Sequence, residues 1–230
     1  MEILPLQGYG VTHYLVFSEG GIDLIDSGFL GGVERVRQAL AAKGCSLGDI
    51  GNLYLTHGHL DHTLNATRFR ELSGCKVHAP LTDRAHLEGR HRAHGWSRGA
   101  AGLEWLGRRA FRYQPVTVDH WFEPGEILGG YEVIGLPGHT VGHCGFYLRS
   151  EQAFFCGDAF CNHLGRPALP PRIFNDDHEE AKVSVLAAAA LDCRAVYPNH
   201  TGRQSPEENL ADLRRLAERI QPSDLMSHEG

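Results

Sequence analysis

Short apolar runs separated by glycines open the chain: Ile3 to Leu6, His13 to Phe17 and Ile22 to Ile25, punctuated by Gly8, Gly10, Gly20 and Gly21. Runs of this length bounded by turn formers predict a meander of antiparallel strands. From Gly32 to Lys43 the period changes. Val33, Val36, Leu40 and Ala41 recur at helical spacing, and Gly44 stops the helix. Leu53 to Leu55 returns to strand character. Thr63 to Leu72 carries Leu64, Phe69 and Leu72 as a buried stripe, and Lys76 to Ala79 is a short strand. Further strands are predicted at Val116–Val118 and Tyr131–Leu136, and a hairpin at Gly145–Leu148 with Gln152–Cys156. Asp177 with Glu180 three residues on predicts a capping box that opens a helix running to about Leu191. Ala195 to Tyr197 is the last strand. Ser205-Pro206-Glu207-Glu208 is a second capping box with proline at the first helical position, and Leu210, Leu213, Leu216 and Ile220 form the apolar face of the helix that follows. Strands alternating with helices, without an internal repeat or a dividing linker, predict a single α/β domain over 1–230, with 222–230 as a frayed tail.

Composition adds bounds. A chain of 230 residues can bury a sizeable core, and 42% apolar with 22% charged residues is ordinary for a soluble globular protein. A net charge of −6 gives no general pull toward nucleic acid or anionic membranes. The N-terminus lacks a basic stretch followed by an apolar one, and no apolar run approaches membrane-spanning length, so neither a signal peptide nor a membrane span is expected. The six cysteines form no CxxC pair and read as reduced thiols in a cytoplasmic protein.

Residues 84–115 depart from this background. Arg84, Arg90, Arg92, Arg98, Arg108, Arg109 and Arg112 stand against only Glu88 and Glu104, with His86, His91, His94, Trp96 and Trp105 among them. One reading is a lid whose arginines hold an anionic substrate; another is a solvated helical insertion. Basic residues interleaved with aromatics also suit single-stranded nucleic acid, which the acidic remainder of the chain disfavours. The insertion either folds over a site or packs against a second copy in a homodimer.

The candidate chemistry centres on Thr56-His57-Gly58-His59-Leu60-Asp61-His62, directly behind an apolar strand. Histidines two apart on a turning loop can converge on one ion, and imidazole with carboxylate suits zinc, manganese or iron better than calcium or magnesium. Asp26, at the end of the third run, is placed either as a turn or cap residue or as support for a metal ligand. The strand ending at Leu136 runs into Pro137-Gly138-His139-Thr140, and His139 could complete a three-histidine site with His57 and His59; His143 reads as a hydrogen-bonding loop residue. Asp158 follows a buried strand, where a carboxylate is costly unless paired or metal-bound, and is the candidate to bridge two ions. His200 ends the last strand and is a further ligand candidate. The proline-rich loop from Gly165 to Arg172 is expected to wall one side of the site.

Taken in order, His57-x-His59-x-Asp61-His62, His139, Asp158 and His200 closely resemble the ligand pattern of the metallo-β-lactamase superfamily, the fold of glyoxalase II-type thioesterases, lactonases, ribonuclease Z and persulfide dioxygenases. The resemblance covers nearly the whole chain and implies a four-layer αββα sandwich, here with a helical insertion at about 84–115. It implies that His57, His59 and His139 hold one metal ion, that Asp61, His62 and His200 hold a second, and that Asp158 bridges them. Two divalent ions, zinc before iron or manganese, about 3.5 Å apart would acidify a bridging water for attack on an ester, thioester or lactone, with Asp61 also orienting the nucleophile's proton. The resemblance disfavours antibiotic hydrolysis, because the commonest zinc β-lactamases carry cysteine where this chain has Asp158. It also disfavours glutathione thioesters, because glyoxalase II proteins hold glutathione with basic residues of a C-terminal helical extension, for which Arg214, Arg215 and Arg219 are the only basic candidates here. Gly165-Arg166-Pro-Ala-Leu-Pro resembles a loop of small glyoxalase II-like members, and Arg166, Arg92 and Arg98 are candidates for holding a small anionic substrate. The rival implied by the same family is a mononuclear iron persulfide dioxygenase using His57, His139 and Asp158; a phosphodiesterase or nuclease is a third reading.

Overall fold

The computed structural model describes residues 1–90, 97–163 and 166–220. They divide into two compact units, one built from 1–90 with 102–122 and the other from 97–101 with 123–220.

In the first unit, β1 (Glu2–Gly8), β2 (Val11–Ser18) and β3 (Gly21–Ile25) form the antiparallel meander that the glycines predict. The two-residue corner between β1 and β2 places Tyr9 and Gly10 at φ 54° and 83°, as a tight hairpin turn requires. Three parallel strands extend the sheet beyond β3: β4 (Ile50–Tyr54), β5 (Lys76–Pro80) and β6 (His120–Phe122). Parallel neighbours need crossovers. These run through α1 (Gly32–Ala41), then α2 (Leu60–Thr63) and α3 (Ala66–Ser73), then α4 (Arg84–Leu87) and most of α5 (Arg98–Ala110). Leu24, Leu53 and Val77 stand in register across the sheet and pack against Val36 and Leu40 of α1 and Ala66 and Phe69 of α3. Each large side chain buried there contributes about 1.5–3 kcal/mol.

One strand lies elsewhere than the apolar pattern predicts. Val116–Val118 is outside the ladder, because Asp119 takes the hydrogen-bonding groups of Val77: its N–H donates to the Val77 carbonyl at 2.8 Å and its carboxylate accepts the Val77 N–H at 2.9 Å. Regular pairing with β5 begins only at His120. Val116 is nevertheless buried in the core, so the apolar pattern reports packing without a ladder.

The second unit holds a five-stranded sheet in the order β13-β10-β9-β8-β7, from β7 (Ile127–Leu128), β8 (Tyr131–Gly135), β9 (Cys144–Leu148), β10 (Ala153–Gly157) and β13 (Ala195–Pro198). The expected hairpin is β9–β10, and β13 joins β10 in parallel. Between them in sequence, β11 (Cys161–His163) and β12 (Arg166–Ala168) form a separate ribbon. Tyr147, Phe154 and Val196 lie side by side and pack against Val185 of α6 (His178–Ala189) and Leu213 and Leu216 of α7 (Pro206–Arg219).

The two predicted capping boxes differ in outcome. The Ser205–Glu208 capping box is complete, with proline in the first turn. At α6 the Asp177 carboxylate accepts from the N–H groups of Glu179 and Glu180, but the reciprocal bond is replaced: the Asp177 N–H donates to the Gly138 carbonyl at 2.9 Å. Tertiary contact outcompetes the local cap. Among the described residues, no helix is long and apolar enough to cross a membrane.

Candidate metal centre

The candidate donors all sit just beyond the C-terminal ends of strands, the edge where α/β folds expose loops for chemistry. His57, His59, Asp61 and His62 follow β4; His139, Asp158 and His200 follow β8, β10 and β13.

In the first unit, Asp26 organises the histidines. It ends β3 in a left-handed conformation, φ 58°, which Asp tolerates better than most residues. Its N–H donates to the Tyr54 carbonyl at 2.8 Å, and its buried carboxylate turns toward the β4 loop. Oδ1 accepts the Thr56 N–H at 2.8 Å, and Oδ2 accepts the Thr56 hydroxyl at 2.8 Å. Because that hydroxyl donates to Asp26, its lone pair accepts from His57 Nδ1, 3.0 Å away. His62 Nδ1 lies 3.0 Å from the same Oδ2. Both rings therefore carry a proton on Nδ1, and in the neutral ring this leaves the lone pair on Nε2. The His57 ring centroid is 4.8 Å from that of His59 and 4.1 Å from that of His62. Asp61 Oδ2 stands 3.8 Å from His62 Nε2, with about a third of the side chain exposed (34%). The Ser27 hydroxyl donates to the His62 carbonyl, and Asn65 Nδ2 donates to the carbonyls of Ser27, Gly28 and Phe29, so the loop after β3 is tied to the same helix start.

Two titrating groups border this cluster. Burial pushes the His13 imidazole down to about 3, with Arg35 and His62 adding to the effect. Burial acts to raise the Glu104 carboxyl, but His59 and Arg108 outweigh it and its pKa is lowered.

In the second unit, the buried His139 places Nδ1 2.9 Å from Asn175 Oδ1; an amide oxygen only accepts, so here too the lone pair lies on Nε2. That Nε2 is 3.4 Å from Asp158 Oδ2, and His200 Nε2 is 3.1 Å from the same oxygen. His143 takes the hydrogen-bonding role expected of it: Nδ1 donates to the Leu136 carbonyl at 2.9 Å, while Nε2 accepts the Asp158 N–H at 3.0 Å. Asn162 supports the His200 loop. Its N–H donates to the His200 carbonyl at 2.7 Å, and its amide donates to Asn209 and Asp212 of α7 at 2.9 and 2.6 Å. Ser97 donates to Asp176 at 2.7 Å, and the Asp176 N–H donates to the His139 carbonyl.

The substrate candidates are placed differently. Arg166 is exposed on β12, Arg98 begins α5, and Arg92 and the 222–230 tail lie outside the described residues. The sequence marks neither Asn175 nor Asn162, whose partners lie far along the chain, and it shows Thr56 only as the start of the motif, without its bond to Asp26. In each unit, imidazoles that turn Nε2 away from their Nδ1 partners, with carboxylates beside them, are residue types suited to divalent transition metals.

Comparison with known proteins agrees. The model of the metallo-beta-lactamase superfamily matches residues 7–200. Hydroxyacylglutathione hydrolase GloC of Haemophilus influenzae is 29% identical over 74% of this chain and 76% of its own length. The hydroxyacylglutathione hydrolase of Methylococcus capsulatus is 28% identical over 85% of this chain and 66% of its own, and the atrochrysone carboxyl ACP thioesterase of Aspergillus fumigatus 27% identical over 85% and 52%. This chain thus spans about half to two thirds of the length of those last two relatives. Among solved structures, the metallo-beta-lactamase family protein TTHA1429 from Thermus thermophilus superposes with a TM-score of 0.71 at 22% identity, covering 94% of this chain and 78% of that one. TTHA1623, solved in a di-iron-bound form, gives 0.69 at 22% identity, over 97% of this chain and 100% of that one. A family match that takes in residues 7–200, most of the chain, shows that this chain belongs to the metallo-β-lactamase superfamily.

Proposed function

We propose that this protein is a cytoplasmic, metal-dependent hydrolase that cleaves a small anionic ester, thioester or lactone and binds two divalent ions, zinc before iron or manganese. His57, His59 and His139 would hold one ion, Asp61, His62 and His200 the other, and Asp158 would bridge them. The observation that carries this reading is the orientation of three donor rings: His57, His62 and His139 each set Nδ1 against a protein oxygen at 2.9–3.0 Å. Such partners fix the tautomer and raise ligand basicity. Family membership implies divalent metal binding, and the similarity to hydroxyacylglutathione hydrolases supports hydrolysis as the reaction class.

When bound, such ions supply Lewis-acid polarisation of the substrate oxygen and a water acidic enough to react near neutral pH. The chain's own groups do the rest. Asp61, partly exposed, would orient the proton of the attacking water. His143 holds the Asp158 backbone in place, and Asp26 with Thr56 keeps His57 and His62 from rotating. Arg166, with Arg92 and Arg98, would meet the negative charge of the substrate.

Elemental analysis of protein purified without added metal, followed by a panel of acyl thioesters, lactones and a phosphodiester, tests this. Close to two zinc ions per chain and turnover of a thioester or lactone are expected. About one iron per chain, with oxygen uptake on a persulfide, would replace the hydrolase with a dioxygenase.

A further inference from the structure

Gly58, the residue between His57 and His59, has both of its backbone polar groups held by side chains distant in sequence. Its N–H donates to Asp83 Oδ2 at 2.8 Å, and its carbonyl accepts from Arg108 Nη2 at 2.7 Å. Neither partner is loose. Asp83 is fully buried at the turn leading into α4, with its other oxygen 3.8 Å from His86 Nδ1. Arg108 bonds Glu104, one helical turn back, through Nε and Nη2 at 3.0 and 2.7 Å. Its guanidinium carbon also lies 4.3 Å from the Tyr113 ring centroid, and the Tyr113 hydroxyl donates to the Leu87 carbonyl at 2.9 Å. Gly58 is pressed so closely against α4 that a Cβ there would run into the Cβ of His86.

These contacts bear on the histidines through simple geometry. His57 and His59 share the Gly58 residue, so any rotation of its two flanking peptides swings the rings relative to each other. Bonds on both the N–H and the carbonyl fix those peptides, and breaking either leaves a buried backbone group without its partner, which is costly. Arg108 belongs to the basic insertion, yet its charge is spent on Glu104 and a backbone carbonyl rather than presented to solvent.

We infer that Asp83 and Arg108 are positioning residues that clamp the Gly58 backbone and thereby set how His57 and His59 meet a metal ion. This rests on the metal-centre reading proposed above, and it gives part of the insertion a role in building the centre rather than in covering it.

The test is zinc affinity of the full chain, measured by competition with a chromophoric chelator, together with the absorption spectrum of the cobalt-loaded protein. Asp83→Ala and Arg108→Ala should each weaken one of the two zinc sites roughly tenfold or more, in the range seen for groups that orient metal ligands. The cobalt spectrum should shift, while the far-ultraviolet circular dichroism stays that of the parent. Asp83→Asn, which keeps an oxygen to accept the Gly58 N–H, should recover most of the loss. The double alanine variant should lose less than the product of the single losses, since both act on one backbone unit. Alanine variants that bind both zinc ions as tightly as the parent, or an Asp83→Asn as weak as Asp83→Ala, would overturn the clamp while leaving the metal centre standing. A parent chain that takes up no zinc or cobalt would overturn both.

Discussion

Asp26 and His62 lie 36 residues apart in sequence and meet at 3.0 Å, carboxylate oxygen to Nδ1, with both side chains fully buried. The same oxygen receives the Thr56 hydroxyl, so one carboxylate sets two imidazoles, one directly and one through Thr56. Asp26→Asn leaves a single acceptor where the contacts use two, and its amide hydrogens face groups that donate. Metal affinity should fall about 10- to 100-fold. Chelator competition on the purified variant measures it, and an unchanged affinity would remove Asp26 from the machinery of the site.

Thr56 offers a finer probe of the same relay. Thr56→Val keeps the shape and deletes the hydroxyl, leaving the buried His57 Nδ1–H without the acceptor it has in the parent. A loss of about 1–3 kcal/mol in unfolding free energy is expected, together with weaker metal binding. Thr56→Ser should restore both. A serine variant as impaired as valine in urea titration would show that the methyl group, not the hydroxyl, matters there.

Gly138 is held where a side chain has no room. Its φ is 118°, and a Cβ would strike the backbone of Ala181 at the start of α6. Gly138→Ala should cost about 1–3 kcal/mol, because backbone at that point cannot step aside as a flexible side chain can. Since His139 is the next residue, metal affinity should fall with it. Thermal unfolding and zinc titration on one preparation test both, and a variant as stable as the parent contradicts the predicted clash.

The sequence pattern made the scaffold and the chemistry legible to different depths. Periodicity found β2, β3, β9, β10 and β13, and glycine and capping signals found the ends of α1 and α7, because those signals are local. The Val116–Val118 strand failed because its apolar pattern was satisfied by core packing while Asp119 took the ladder bonds of Val77. Residue spacing singles out the histidine and aspartate candidates, and each of them follows the end of a strand. Asp83 and Asn175 are unmarked in the sequence, and Arg108 reads there only as one arginine of a basic insertion, because each acts on a residue 25 to 50 positions away.

His13 gives a pH dependence with a defined sign. Burial first, then Arg35 and His62, lower its pKa from 6.5 to about 3 in the folded chain. Between those values the unfolded chain binds a proton that the folded chain does not. His13 therefore contributes its full stabilisation above about pH 6.5, and that contribution is lost progressively as pH falls toward 3. The gap between the urea midpoints of the parent and His13→Gln should be constant above neutral pH and change steadily, against the parent, as pH falls below about 6.5. A gap that stays constant through that acid range would assign the slope to other groups.

The bonds from Asp26, Thr56 and Asn175 to the donor rings are made within the protein and do not depend on which ion arrives. An orientation fixed in this way serves any borderline divalent metal that accepts nitrogen and carboxylate ligands. For the centre proposed above, discrimination among zinc, iron and manganese would rest on ligand type, geometry and metal supply, not on ring orientation alone. What the fold sets in advance is the direction each ring faces, so an arriving ion would meet imidazoles already turned rather than rings it must first order.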